Sequence, residues 1–99
     1  MAHITGGGIT DNVPRILPAG LSARVQTAAW NTPPIFRTLV RFGNLTVEEA
    51  FRAFNMGIGM VLVVDSASTG TVLEELTATG ETAWLIGEVV SGDRNVQYV

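Results

Sequence analysis

The run Met60, Val61, Leu62, Val63, Val64 constrains the fold of this chain more than any other five residues in it. Five consecutive apolar positions leave no polar face, so a strand built from them has to be covered on both sides. The stretch containing it, "MGIGMVLVV" at 56–64, is about half the roughly 18 to 20 apolar residues needed to cross a bilayer. The expectation is a central strand with helices packed over it, and no membrane span.

The flanking patterns supply the covering elements. In "NTPPIFRTLVRFG" Thr32 suits an N-cap, Pro33 a first helical position where a missing N–H is harmless, and Gly43 a C-terminal stop. Ile35, Phe36, Leu39 and Val40 form the stripe expected to be buried. "LTVEEAFRAFN" carries a capping box between Thr46 and Glu49, with Val47, Ala50, Phe51 and Phe54 on one helical face. Glu48 and Arg52 are expected to pair across its solvent side. Asn55 and Gly57 suit a left-handed exit from that helix. "STGTVLEELTATG" reads as a further amphipathic helix, with Val72, Leu73 and Leu76 inward and Gly80 closing it.

Strands are expected where the period falls to two. From Leu21, Ala23, Val25 and Thr27 alternate with Arg24 and Gln26. "TAWLIGEVV" at 82–90 and a short segment at 96–99 flank the turn "SGDRN". With no internal repeat and no linker, the pattern predicts one domain over 1–99. Its class is α+β of the three-layer α/β/α type, a mixed β-sheet flanked by helices. A chain of 99 residues buries only about two-thirds of its unfolded surface and supports a single core.

Composition narrows the function classes. The chain is 46% hydrophobic and 15% charged, with a mean hydropathy of +0.32. That is apolar for so small a domain and implies surface that seeks a partner. A net charge of −3 argues against a nucleic-acid surface, where positive charge displaces counterions. All six basic residues are arginine, so neither a Walker A lysine nor Schiff-base chemistry is available. The absence of cysteine excludes disulfides and thiolate metal sites, and a lone histidine makes a protein-only zinc site untenable. No basic segment leads into an apolar one at the start, so the cytoplasm is the expected location.

The candidate site lies near the N-terminus. Gly6, Gly7 and Gly8 open a short helix that Pro14 interrupts, leaving about one turn on each side of the proline. Unpaired N–H groups at such a helix entry suit a phosphate, although tight turns use glycine as well. His3 could hydrogen-bond a substrate or act as a general base, against the plainer reading of a histidine at a strand end. Asp11 and Asn12 sit beside the loop, and Arg15 could support an anion there. Asn55 is either a helix cap or a substrate contact. Glu48 with Glu49 and Glu74 with Glu75 read as solvated helix surface. "MGIGM" precedes a strand instead of following one, which excludes a dinucleotide-binding loop.

Taken together, "MAHITGGGITDNVPRILP", "PPIF", "FNMGIGMVLVV" and "GETAWLIGEVV" resemble the C-terminal domain of the aminoimidazole ribonucleotide synthetase family, the phosphoribosylformylglycinamidine cyclo-ligases. The resemblance runs from Met1 to about Val90. It implies ATP-dependent closure of formylglycinamidine ribonucleotide to aminoimidazole ribonucleotide in purine synthesis. It also implies that an N-terminal domain dimerises and supplies most ATP and magnesium contacts, so that neither is expected on this chain alone. Thr5, Gly6, Gly7 and Gly8 match the loop expected to hold the substrate phosphate, with His3 and Asn55 near the cleft; the resemblance assigns no catalytic residue and no metal ligand.

That N-terminal domain has no counterpart here, so the chain is expected to be the C-terminal part of a longer protein, inactive and self-associating by itself. The expected partners are a phosphorylated ribonucleotide, the chain's own N-terminal domain and a second copy in a homodimer. Two other readings stand beside this one. The first is a fragment of another superfamily member such as formylglycinamidine ribonucleotide synthetase, and the second is a free-standing phosphate-binding or dimerisation module.

Overall fold

Proline and glycine punctuate the chain where the hydrophobic pattern changes period. A computed structural model describes residues 1–99. It orders them as β1 (Ala2–His3), α1 (Gly8–Asn12), β2 (Leu21–Val25), α2 (Pro34–Gly43), α3 (Val47–Ala53), β3 (Met60–Val61), α4 (Thr69–Ala78), β4 (Gly87–Ser91) and β5 (Val96–Tyr98). Pro14 divides the opening segment as expected, with α1 before it and a 3-10 turn, Pro14–Ile16, after it.

The helix ends follow local chemistry. At the start of α3 the Glu49 N–H donates to Thr46 Oγ1 at 3.2 Å, and the Thr46 N–H donates to Glu49 Oε2 at 3.1 Å, the reciprocal box read from the sequence. Helix α2 starts one residue later than expected, with Pro33 as N-cap and Pro34 first in the helix. Gly43 is its last residue, and Asn44 takes the left-handed stop at φ 51°. Asparagine tolerates that conformation because its short polar side chain bonds locally.

The strands divide between two sheets instead of the single one expected. In the larger, β2 is central, antiparallel to β4 from Leu21↔Ser91 to Val25↔Gly87 and parallel to β5 from Ala23↔Val96 to Val25↔Tyr98. This sheet is mixed, so the fold is α+β with a mixed sheet. In the smaller, β1 and β3 pair over two residues each, Ala2↔Val61 and His3↔Met60. The turn beginning at Thr5 ends β1 early, so β3 has no longer neighbour, and 62–64 carry on without one. Residues 82–86, expected within a strand, likewise precede the paired β4.

The core lies to one side. Ile9, Val13, Leu17, Val25, Trp30 and Phe51 are buried within one cluster joining α1, α3 and β2. Phe51 is its hinge, stacked on Tyr98 at 4.4 Å and meeting Trp30 edge-on at 5.9 Å. Such aromatic pairs add about 0.5–1.5 kcal/mol each beyond the area they bury. Helices α2 and α4 place no residue fully inside. The stripe of α2 is only half covered, since Phe36 and Val40 pack on the core while Ile35 is 58% exposed. Val72, Leu73 and Leu76 of α4 are half-buried.

Candidate functional site

The glycine loop is a tight turn welded to α1. The Gly8 N–H donates to the Thr5 carbonyl at 3.0 Å, and Gly7 occupies the third turn position at φ 93°, ψ −9°. A type II turn requires that left-handed conformation, which glycine reaches freely. Asn12, buried one helical turn further on, locks the loop from behind. Its Nδ2 donates to the carbonyls of Thr5, Gly6 and Gly8, and its Oδ1 accepts from Thr5 Oγ1 at 3.0 Å. All the loop carbonyls it reaches therefore point inward. The N–H groups of Gly6, Gly7, Ile9 and Thr10 donate to no backbone carbonyl, which leaves a set of donors at the helix entry.

Two glycines of the loop have opposite reasons to be glycine. A Cβ on Gly8 would strike the carbonyl oxygens of Phe51 and Phe54, because α1 crosses the end of α3 at that point. A Cβ on Gly6 would meet nothing within 4 Å. Gly8 is required by packing, whereas the space over Gly6 is open.

Charge at the loop is balanced locally. Asp11 leans its carboxylate over Gly7, and Arg52 of α3 faces that carboxylate at 3.8 Å. Arg52 therefore pairs with Asp11 and not with Glu48, the partner expected from helical spacing. Arg15 reaches Asn12 Oδ1 at 3.5 Å, so its guanidinium sits on the rear of the loop. Beyond Asp11, Thr10 Oγ1 and the Tyr98 hydroxyl share a 2.7 Å hydrogen bond. Burial pushes the Tyr98 phenol above its ordinary value near 10, and the Thr10 bond opposes that shift in part.

The other expected residues fall around this loop with different roles. His3 is exposed on β1, opposite Met60. Asn55 is exposed, and its Oδ1 accepts from the Gly57 N–H at 2.8 Å, so the side chain caps its own turn. Met56 is buried at φ 55°, and its carbonyl accepts from Trp30 Nε1 at 3.0 Å, which pins that turn to the core. Residues 55–57 follow Phe54, whose carbonyl faces Gly8, so the turn and the glycine loop sit on adjacent stretches of chain. Asn12 is the organising residue that spacing flagged only as a neighbour of the loop. Its signal was an amide one helical turn beyond a glycine triplet.

The family model "AIR synthase related protein, C-terminal domain" matches residues 1–99. A phosphoribosylformylglycinamidine cyclo-ligase of Trichlorobacter lovleyi is 54% identical over 95 residues, covering 96% of this chain and 27% of the relative. The protein of that name from Pseudothermotoga lettingae is 46% identical over 96 residues, covering 97% of the chain and 28% of the relative. That of Brevibacillus brevis is 44% identical over 98 residues, covering 99% and 28%. The chain thus spans less than a third of the length of the curated relatives it matches.

Proposed function

The chain belongs to the family of AIR synthase related C-terminal domains, and from that premise we propose that it is the substrate-side part of a cyclo-ligase. In this reading the complete protein uses ATP to close formylglycinamidine ribonucleotide to aminoimidazole ribonucleotide, acting in the cytoplasm as a homodimer. In this reading the chain forms one domain, a three-layer α/β/α unit in the assembled protein. The observation that carries the reading is 54% identity to a named cyclo-ligase over nearly the whole chain.

The glycine loop is assigned the substrate phosphate. The unengaged N–H groups of Gly6, Gly7 and Thr10 at a helix entry are donors an anion can use, while that of Ile9 is buried with its residue, and Asn12 holds the loop in place without occupying them. Gly6 leaves the approach open. Binding there demands that the phosphate compete with the Asp11 carboxylate for the same face, and Arg52 relieves that conflict by neutralising Asp11. His3 and Asn55 are assigned to the rim of the cleft, where both are exposed.

ATP and magnesium are assigned to polypeptide outside these residues. The family resemblance gives most ATP and magnesium contacts to an N-terminal domain, and this chain has no lysine with which to grip a triphosphate. What the chain contributes is binding and orientation of the substrate, and by itself it should not turn over.

The test is a chimera in which these 99 residues replace the matched part of the Trichlorobacter lovleyi relative. ATP-dependent cyclisation within about tenfold of the parent, or roughly 1.4 kcal/mol in barrier height, is the expected result. A folded chimera with no cyclisation, or turnover by the 99-residue chain alone, would contradict the reading.

A further inference from the structure

Asn12 braces the glycine loop at the carbonyls of Thr5, Gly6 and Gly8 and reaches no further along α1. Thr10, which supplies the last of the free N–H groups, is held from elsewhere. Its Oγ1 lies 2.7 Å from the Tyr98 hydroxyl, a hydrogen bond between residues 88 positions apart. The far end of the donor set is thereby tied to β5, an edge strand of the larger sheet.

Tyr98 has little freedom of its own. Its ring stacks on Phe51 of α3 at 4.4 Å, and its register partner is Val25 of β2. The next residue locks that register, since the Val99 N–H donates to the Val25 carbonyl at 2.9 Å and the Val99 carbonyl accepts from the Thr27 N–H at 3.0 Å. A side chain fixed by packing and by its neighbours' hydrogen bonds can in turn fix its partner.

Acidity decides which hydroxyl donates. A phenol is the stronger acid of the two, so Tyr98 gives the proton and Thr10 Oγ1 accepts it. Burial, which raises the Tyr98 phenol above its ordinary value, keeps that proton in place at neutral pH. A threonine hydroxyl that accepts still has its own proton to give, and accepting makes it a better donor, because hydrogen bonds in a chain polarise one another. The Thr10 and Tyr98 side chains line a surface cavity of about 420 Å³ together with Asp11 and Arg52, so a ligand on the loop can reach them.

We infer that the Thr10 hydroxyl is a further donor to the ligand phosphate, acting beside its own N–H, and that Tyr98 is the residue that positions it. The inference deepens the phosphate assignment and rests on it.

Its test is a titration of the chain and four variants with aminoimidazole ribonucleotide, followed by amide NMR. Thr10→Val should weaken binding by about tenfold or more, the usual worth of one hydrogen bond to a charged group. Thr10→Ser, which keeps the hydroxyl, should stay within about twofold of the parent. Tyr98→Phe keeps the ring on Phe51 and should weaken binding by about threefold or more with the spectrum still dispersed. On a Thr10→Val background Tyr98→Phe should cost nothing further, because it acts through a hydroxyl already removed. In the chimera described above, Thr10→Val and Tyr98→Phe should raise KM for formylglycinamidine ribonucleotide and leave kcat unchanged, a split that a merely structural role would not produce. If Tyr98→Phe does not fold, the contrast between Thr10→Val and Thr10→Ser carries the test. Parent-like binding by Thr10→Val or Tyr98→Phe, or losses that simply add in the double variant, would overturn this inference and leave the loop assignment standing. A folded parent that does not bind would sink the loop assignment and this inference with it.

Discussion

Gly6 and Gly8 separate fold from function at single residues. Gly8 combines φ 61° with two carbonyl oxygens against the position a Cβ would take. Left-handed strain of about 1–2 kcal/mol and overpacking of about 1–3 kcal/mol then act together. Gly8→Ala should therefore lower stability by about 3 kcal/mol, read as a fall in the urea midpoint of the isolated chain. Gly6→Ala meets open space and an ordinary φ, so it should leave stability unchanged or raise it by up to about 1 kcal/mol. The same methyl enters the open space over the loop and should weaken ligand binding. A large loss of stability in Gly6→Ala, or none in Gly8→Ala, would contradict this division. The sequence displayed three equivalent glycines. Their difference lies in a crossing of α1 over α3 that no local pattern encodes.

Among the elements, α3 was legible because its determinants are local. The Thr46 and Glu49 box forms as read, and Ala50 and Phe51 are buried on the expected face. Thr46→Ala should destabilise the chain by about 1 kcal/mol, since one orphan donor of the first turn loses its acceptor. Thermal melts of Thr46→Ala and Thr46→Ser check it, with the serine variant expected to retain most of the stability. A Thr46→Ala melt indistinguishable from the parent would show that the cap is solvated in solution. Strand β2 was legible for the same reason, with Ala23 and Val25 buried and Arg24 outside, facing Glu88 at 3.2 Å. The pairing of Arg52 with Asp11 was not legible, because it depends on where α1 lands. Nor was the short reach of β3. An apolar run states that it needs cover on both faces, while the number of residues that obtain it is set by neighbours.

For the whole molecule, the mean hydropathy of +0.32 has a structural counterpart. The core gathers around α1, α3 and β2, while Ile35, Leu39 and Phe42 of α2 and the run 62–64 stay at the surface. The expectation of an apolar surplus therefore holds, and its location is the finding. The run 62–64 lines an open groove, while the apolar residues of α2 lie outside it, on a chain that spans less than a third of its relatives. Domain-scale substrate holding is the claim on which the functional account turns. The measurement closest to it is an amide NMR titration of the chain with aminoimidazole ribonucleotide, with the unphosphorylated nucleoside as control. The account predicts shifts at Gly6, Gly7 and Thr10 with the phosphorylated ligand only. A folded, well-dispersed spectrum in which those amides do not move, or move equally with the nucleoside, would contradict it.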